Sequence, residues 1–122
     1  MVKNNFPKKG EIWLLKNPQR IKEIRKDCRP VLIVSSDERN EYDKSVVVLP
    51  MTTDDLENIL PVEVYIENTP ETGLEKPSKI LCDSPFTWDK EIRFEKRLGI
   101  VSPEIMVKVK KAWEIAFDTE NW

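Results

Sequence analysis

Two apolar runs set the fold expected for this chain: Arg-Pro-Val-Leu-Ile-Val-Ser-Ser at residues 29–36 and Ser-Val-Val-Val-Leu-Pro-Met at residues 45–51. Both have the length of a strand and are rich in β-branched residues, which predicts two strands buried on both faces. The polar segment 37–44 lies between them and predicts a turn of helix. The two runs therefore indicate a pair of neighbouring antiparallel strands at the centre of a sheet.

The length of the connection predicts the register of this pair. If the connection is symmetric, the numbers of facing residues sum to 81, so Val31 faces Pro50 and Arg29 faces Thr52. Facing residues point to the same side of a sheet, with Cβ atoms about 5 Å apart. A guanidinium and a hydroxyl would then meet at the open end of the pair. A slip of one residue would bring Thr53 to Arg29 instead of Thr52.

The rest of the chain predicts further short strands and one clear helix. Ser102 is a good N-cap, Pro103 occupies the first helical position, and apolar residues follow at helical spacing up to Phe117. The pattern predicts one α+β domain over residues 1–122, in which a small curled antiparallel sheet is capped by a C-terminal amphipathic helix. The further strands are expected at residues 10–15, 61–67, 79–83 and 97–101.

The composition excludes several kinds of enzyme. The 122 residues include no histidine, which excludes Ser-His-Asp, Cys-His and zinc-hydrolase sites. Cys28 and Cys82 are too few for a secreted disulfide framework and are wrongly spaced for zinc. No apolar run approaches the ~20 residues that cross a bilayer, and the first residues contain no apolar signal region. We therefore expect a soluble cytoplasmic protein with no membrane partner.

The charge is unevenly distributed. Residues 1–29 contain nine Lys and Arg against three Asp and Glu, a net charge of +6, whereas the other 93 residues contain eleven against nineteen, a net charge of −8. Such asymmetry predicts a cationic surface opposite an acidic one. A solvated lysine-rich loop is the alternative interpretation, unless a neighbouring site needs positive charge.

Four blocks of this sequence resemble the PemK/Kid/MazF family of toxins. The blocks are Gly-Glu-Ile-Trp at 10–13, Arg-Pro-Val-Leu-Ile-Val at 29–34, Val-Leu-Pro-Met-Thr-Thr at 48–53 and Leu-Cys-Asp-Ser-Pro at 81–85. The resemblance implies a small SH3-like β-barrel of the CcdB/PemK type and a homodimer. It also implies an endoribonuclease that cleaves single-stranded RNA without metal or cofactor, and that an antitoxin neutralises.

The same resemblance implies roles for individual residues. The family's catalytic arginine and threonine fall on Arg29 and Thr52, and an aspartate that contributes in the PemK/Kid branch falls on Asp83. Thr53 and Phe86 are expected to contact RNA, Phe86 by stacking on a base. Phe86 could equally be a packing residue. Further basic residues are expected to follow the RNA backbone: Lys16, Arg20, Lys22, Arg25 and Lys26.

The chemistry of metal-free RNA cleavage fits these residue types. The 2′-OH attacks the neighbouring phosphorus, which leaves a 2′,3′-cyclic phosphate and a 5′-OH. A planar guanidinium such as that of Arg29 binds two phosphoryl oxygens at once and stabilises the charge that develops on them. The hydroxyl of Thr52 can orient a phosphate oxygen or the 2′-OH, but it is too weak a base to deprotonate the latter. A carboxylate must act as the base, and the candidates are Asp83, Glu23 and Glu11.

The chain also departs from the family pattern. Residues 21–28 contain no glycine, and Leu81 and Phe86 stand where family members often have cations. Two alternatives to the nuclease remain open. One is a non-enzymatic CcdB-like toxin that binds gyrase, for which the terminal Trp122 could insert into the partner. The other is a family member that binds RNA or antitoxin without cleaving. Arg29 and Asp83 could also be structural, as an ion pair or a turn former.

Overall fold

A computed structural model describes residues 6–16, 28–90 and 94–122, with only the backbone described at Cys28. The described residues form two α-helices, α1 (Asp37–Tyr42) and α2 (Pro103–Phe117), and a short 3-10 helix follows α2. The strands in chain order are β1 (Glu11–Lys16), β2 (Cys28–Ile33), β3 (Ser45–Thr52), β4 (Glu63–Ile66), β5 (Ser78–Leu81), β6 (Phe86–Asp89) and β7 (Phe94–Ile100). The α+β class predicted from the sequence is confirmed.

The strands form an antiparallel sheet in the order β4-β5-β3-β2-β1-β7, and β6 pairs with the first half of β3. Strands β2 and β3 are central, as their apolar sequences predict. Val31 faces Pro50 and Ile33 faces Val48, so the predicted register, in which facing numbers sum to 81, is confirmed. Extended by two residues beyond the Val31–Pro50 pair, the same register would bring Arg29 level with Thr52.

The sheet does not close into a full barrel among the described residues, because β4 and β7 do not pair with each other. A turn after β4 bridges the gap instead: the Ile100 amide donates to the Glu71 carbonyl at 2.8 Å. The contact is so close that a Cβ at position 99 would lie 2.1 Å from the Glu71 oxygen, which only glycine avoids. The closed SH3-like barrel expected from the resemblance is therefore a sheet joined by one turn.

Helix α2 begins as the sequence predicts. The Ser102 hydroxyl accepts from the Ile105 amide at 3.2 Å, and Pro103 lies in the first turn. Val109 and Ala112 are its buried residues, and they pack against one face of the sheet. The helix ends at Phe117, and its C-cap Asp118 adopts the left-handed conformation.

The two faces of the sheet hold two separate apolar clusters. The helix-side core lies between the sheet and α2, and the aromatic-side cluster lies on the opposite face. The helix-side core contains Ile12, Leu32, Leu49, Met51, Val64, Ile66, Leu74, Ile80, Cys82, Val101, Val109 and Ala112. The aromatic-side cluster contains Leu15, Val31, Ile33, Val46, Val48 and Trp88, with the partly buried Trp13, Phe86 and Phe94 against it.

Strand β6 is not among the strands that the sequence predicts. Its four residues directly follow Pro85. From the sequence, the aromatic residues at positions 86 and 88 are interpreted as base-stacking or packing residues, and no strand is predicted there. Trp88 is 5% exposed and belongs to the aromatic-side cluster, so it is a packing residue. Within the described ranges, no helix is long and apolar enough to cross a membrane.

Candidate nucleic-acid site

Arg29 lies at the end of β2, where its side chain reaches across to β3. One terminal nitrogen of the guanidinium donates to the Met51 carbonyl at 2.9 Å. That carbonyl belongs to the peptide that joins Met51 to Thr52. The Arg29 side chain therefore contacts the backbone next to Thr52, although the two residues are separated by more than twenty positions in the chain.

Thr52 is the last residue of β3, and it is half-buried. Its Oγ1 accepts from the Asp54 amide at 3.1 Å, so the rotation of the hydroxyl is restricted. A threonine hydroxyl has one proton to donate besides its acceptor capacity. That proton remains available to a phosphate oxygen. Thr53, the next residue, is exposed.

Lys16 ends β1 directly opposite Cys28, the neighbour of Arg29, so it lies at the same end of the sheet. Its ammonium is 3.7 Å from the Glu95 carboxylate, and both side chains are largely exposed. Exposed ion pairs of this kind contribute little energy. Lys16 can therefore exchange this partner for a phosphate at low cost.

Asp83 lies in the turn between β5 and β6, on the opposite edge of β3 from Arg29. Its side chain is exposed, and the Ser84 hydroxyl donates to it at 3.2 Å. Asp83 and Arg29 therefore belong to elements that flank β3 on its two sides.

Phe86 begins β6 and faces Val48, which places it on the same side of the sheet as Thr52 and Arg29. It is half-buried, and its ring centroid lies 6.3 Å from that of Trp88. Part of the ring therefore packs against the aromatic-side cluster, and part remains accessible. A half-exposed aromatic ring on this face is suited to stacking on a base.

Glu11 does not approach Arg29 and Thr52. It lies at the opposite end of β1, where its carboxylate accepts from Arg97 at 2.9 Å, from the Trp13 indole at 2.8 Å and from the Lys8 amide at 2.9 Å. Both oxygens are occupied, and four residues of strand, about 13 Å, separate it from the residue opposite Arg29. Glu11 holds the turn before β1 in place, and we correct its expected role as a base accordingly.

Five further predicted site residues lie outside the described ranges: Arg20, Lys22, Glu23, Arg25 and Lys26.

Within the described ranges, no group of three His, Cys, Asp or Glu side chains is arranged to hold a metal ion.

Sequence reasoning missed a buried ion pair beside Thr52. The ammonium of Lys79, on β5, lies 2.9 Å from the Glu63 carboxylate, and both side chains are about nine-tenths buried or more. Lys79 faces Thr52 in the ladder between β3 and β5. The sequence pattern that could have indicated this ion pair is a lysine inside an otherwise apolar strand, because lysine is almost never fully buried without a partner.

Cys82 lies beneath the same region and is fully buried. Burial raises the pKa of its thiol to about 12, and the nearby carboxylates of Asp83 and Glu63 add to this effect. The thiol is therefore neutral at physiological pH and is not a nucleophile.

The fold and the site describe a class of small proteins: an antiparallel sheet with a C-terminal helix, in which an arginine on one central strand donates to the peptide before the last threonine of the next strand. The comparison with protein families agrees. Residues 8–117 match the family of PemK-like, MazF-like toxins of type II toxin-antitoxin systems. The chain belongs to this family.

Individual relatives support the same assignment. The endoribonuclease MazF of Staphylococcus epidermidis is 32% identical over 94 residues, which cover 77% of each chain. The endoribonuclease PemK of Escherichia coli is 31% identical over 101 residues, which cover 83% of this chain and 74% of that protein. Among solved structures, a mycobacterial endoribonuclease in complex with its cognate antitoxin has a TM-score of 0.74 at 25% identity, covering 92% of this chain and 95% of the other.

Proposed function

We propose that this chain is an endoribonuclease toxin that cleaves single-stranded RNA without a metal ion and is neutralised by a cognate antitoxin. The observation that carries the proposal is the contact between the Arg29 guanidinium and the Met51 carbonyl, which belongs to the peptide that joins Met51 to Thr52. Family membership and the endoribonuclease relatives support the reaction class.

Arg29 stabilises the charge that develops on the phosphoryl group. A guanidinium has five N–H donors, and the Met51 carbonyl uses one of them. No described carboxylate forms an ion pair with Arg29, so the described partners leave its charge uncompensated. The remaining donors can bind two oxygens of one phosphate in the fork geometry, which is worth most as negative charge increases towards the transition state.

Thr52 orients the phosphate by donating its proton to a non-bridging oxygen. The hydrogen bond from the Asp54 amide restricts rotation of the hydroxyl, which leaves the O–H to be directed at the substrate. Prior orientation of this kind lowers the barrier because little rearrangement is needed during the reaction.

Asp83 is the base that we assign among the candidates. Glu11 is occupied by Arg97, Trp13 and Lys8, whereas Asp83 is exposed in its turn beside β3. The carboxylate takes the 2′-OH proton as the 2′ oxygen bonds to phosphorus. The bond from phosphorus to the 5′ oxygen breaks, which leaves a 2′,3′-cyclic phosphate and, after protonation of the leaving oxygen, a 5′-OH.

RNA binding extends from this centre to Lys16, at the same end of the sheet. Lys16 and the basic residues that follow it in the sequence neutralise backbone phosphates, so affinity falls as salt rises. Phe86 stacks on a base, and Thr53 lies beside the catalytic threonine. We further propose, on the basis of the family, that the chain acts as a homodimer in the cytoplasm and forms one domain over residues 1–122.

The test is incubation of the purified chain with single-stranded RNA in EDTA, followed by identification of the product ends. The proposal predicts cleavage at preferred sequences, with 2′,3′-cyclic phosphate and 5′-OH ends. It also predicts no break in the pH–rate profile near ~6.5, since the chain has no histidine. Binding of RNA without any cleavage would support the inactive family member, and cleavage that stops in EDTA would contradict the metal-free mechanism.

One observation favours the gyrase-binding alternative. The terminal Trp122 is 87% exposed, although its indole nitrogen donates to the Phe117 carbonyl at 3.0 Å. An exposed aromatic ring that is anchored at one end is suited to insertion into a partner. Removal of Trp122 separates the two functions, because it abolishes toxicity in the gyrase-binding case and leaves RNA cleavage unchanged in the nuclease case.

A further inference from the structure

The ammonium of Lys79 has a complete set of three acceptors. It donates to the Asp55 carbonyl at 3.0 Å and to the Asn58 carbonyl at 3.1 Å, and it lies 2.9 Å from the Glu63 carboxylate. An ammonium has three protons to donate. Because all three are used, Lys79 has none left for a phosphate, and the Glu63 carboxylate balances its charge.

Two of these acceptors belong to the loop that follows Thr52. Residues 53–58 leave the sheet directly after the last residue of β3, and Lys79 faces Thr52 across the β3–β5 ladder. The loop turns at Asp55, which has a φ of 54°, and the Asn58 side chain donates to the Asp55 carboxylate at 2.9 Å. Most of these residues are exposed, so few apolar contacts hold the loop in place.

The same loop supplies the hydrogen bond that restricts the Thr52 hydroxyl. The donor is the Asp54 amide, which lies between Thr52 and the carbonyl that Lys79 binds. Movement of Asp55 would therefore move this donor. This short segment therefore links the buried ammonium to the hydroxyl of the half-buried Thr52.

We propose that Lys79 is a positioning residue for RNA cleavage: it fixes the loop 53–58 so that the Asp54 amide holds the Thr52 hydroxyl in its reactive orientation. The inference rests on the proposed function, and it adds a residue that does not touch RNA. Since a shift of about 1 Å at a reacting group can lower a rate about 100-fold, a fixed loop has a large effect on turnover.

The test uses the double variant Lys79→Met/Glu63→Gln. Replacing Lys79 alone would leave the Glu63 carboxylate buried without its partner, which destabilises a fold. The double variant removes both charges at similar volume. The amide oxygen introduced by Glu63→Gln can still accept from the Leu60 amide, as the Glu63 carboxylate does at 3.0 Å. The melting temperature of the double variant is therefore expected to stay near that of the wild type.

Lys90 provides a matched control in the same chain. Its ammonium also donates to two backbone carbonyls, those of Asn40 and Glu41, at the end of α1. Lys90→Met removes the same kind of contact at a distance from Thr52. We expect this variant to cleave RNA like the wild type.

For the double variant we expect kcat to fall roughly 10- to 100-fold while KM changes by less than about threefold. A purely structural role would change melting temperature and the fraction of active enzyme, and it would not produce this pattern in a folded protein. Unchanged kcat in the double variant would overturn the inference, as would an equal loss in Lys90→Met. If the wild-type chain does not cleave RNA, the proposed function fails. The rigidity of the loop 53–58 can then still be tested by itself.

This separate test uses backbone amide order parameters measured by NMR without RNA. We expect values near ~0.85 for residues 53–58 in the wild type and in Lys90→Met, and values below about 0.6 in the double variant. A loop that stays equally rigid without Lys79 would contradict the inference whatever the cleavage assay shows.

Discussion

The two faces of the central sheet both hold buried apolar clusters, but they differ in what borders those clusters. On the face under α2, the helix-side core contains fully buried residues such as Leu32 and Leu49. On the opposite face, the aromatic-side cluster is bordered by the half-buried Phe86, and its strands lead to Arg29 and Thr52 at the end of the sheet. The comparison shows that one strand can serve stability on one side and place a reactive group on the other. Arg29 and Leu32 are three residues apart in β2 and point to opposite faces.

The largest expected effect comes from Arg29→Ala. We expect RNA cleavage to fall at least about 100- to 1000-fold, because the variant removes the donors that stabilise phosphoryl charge. The melting temperature should change little, since the guanidinium lies at the edge of the aromatic-side cluster. Gel assays of initial rate and thermal denaturation measure the two effects.

Arg39→Ala is the matched control for this change. Arg39 lies on α1, where it pairs with Asp43 at 3.5 Å, and both side chains are substantially exposed. The Arg39→Ala variant removes the same positive charge as Arg29→Ala, but at the other end of β2. Equal losses in the two arginine variants would mean that net charge, and not the position of Arg29, determines the activity.

Leu32→Ala should act on stability instead. Leu32 is fully buried in the helix-side core, so truncation is expected to cost about 2–5 kcal/mol of unfolding free energy. Cleavage per folded molecule should stay near the wild-type rate at temperatures well below unfolding. Urea denaturation gives the first quantity, and activity normalised to the folded fraction gives the second. A loss of kcat in the folded variant would contradict the claim that the helix-side face contributes to stability and not to catalysis.

Thr52→Val and Thr53→Val separate two adjacent hydroxyls. Valine retains the shape of threonine, so each variant removes little besides the hydroxyl. We expect Thr52→Val to lower kcat roughly 10- to 100-fold, because the Thr52 hydroxyl is the one oriented by the Asp54 amide. Thr53→Val should have a smaller effect, mainly on KM. The reverse order would indicate that RNA lies against Thr53.

The smallest expected effects concern the Cys82 thiol: its slow labelling by a thiol reagent in the folded protein, and a change in stability at high pH. In a Cys28→Ser background, a thiol reagent at about pH 8 should label Cys82 only on unfolding, because burial raises the thiol pKa to about 12. The native state therefore retains the thiol proton above the pH at which the unfolded chain loses it. Stability from this group is fully present below the ordinary thiol pKa and falls as pH rises towards 12. Fast labelling of the folded protein would show that this part of the core opens.

Much of the sheet could be predicted from the sequence because hydrophobic pattern and connection length determine register together. The runs around Val31 and Pro50 have one arrangement that buries both faces, and the symmetric connection selects it. The start of α2 was predictable for a similar local reason, since Ser102 and Pro103 act within one turn.

Other features depend on contacts between distant segments, which local patterns do not contain. The ion-pair partner of Glu11 is Arg97, 86 residues away, and no local pattern around Glu11 indicates this contact. Lys79 likewise contacts Asp55 and Asn58 only after β3 and β5 pair. The gap between β4 and β7 is bridged by a turn whose position follows from the whole sheet.

The central claim is that a phosphodiester binds between the Arg29 guanidinium and the Thr52 hydroxyl. The most direct measurement is NMR titration of the wild-type chain with an RNA oligonucleotide whose 2′-OH groups are methylated, so that it binds without being cleaved. We expect the largest shifts at the Arg29 side chain and at the amides of Met51 and Thr52, with little change around Arg39. Shifts confined to α1 and α2, with none at Arg29 and Thr52, would contradict the claim.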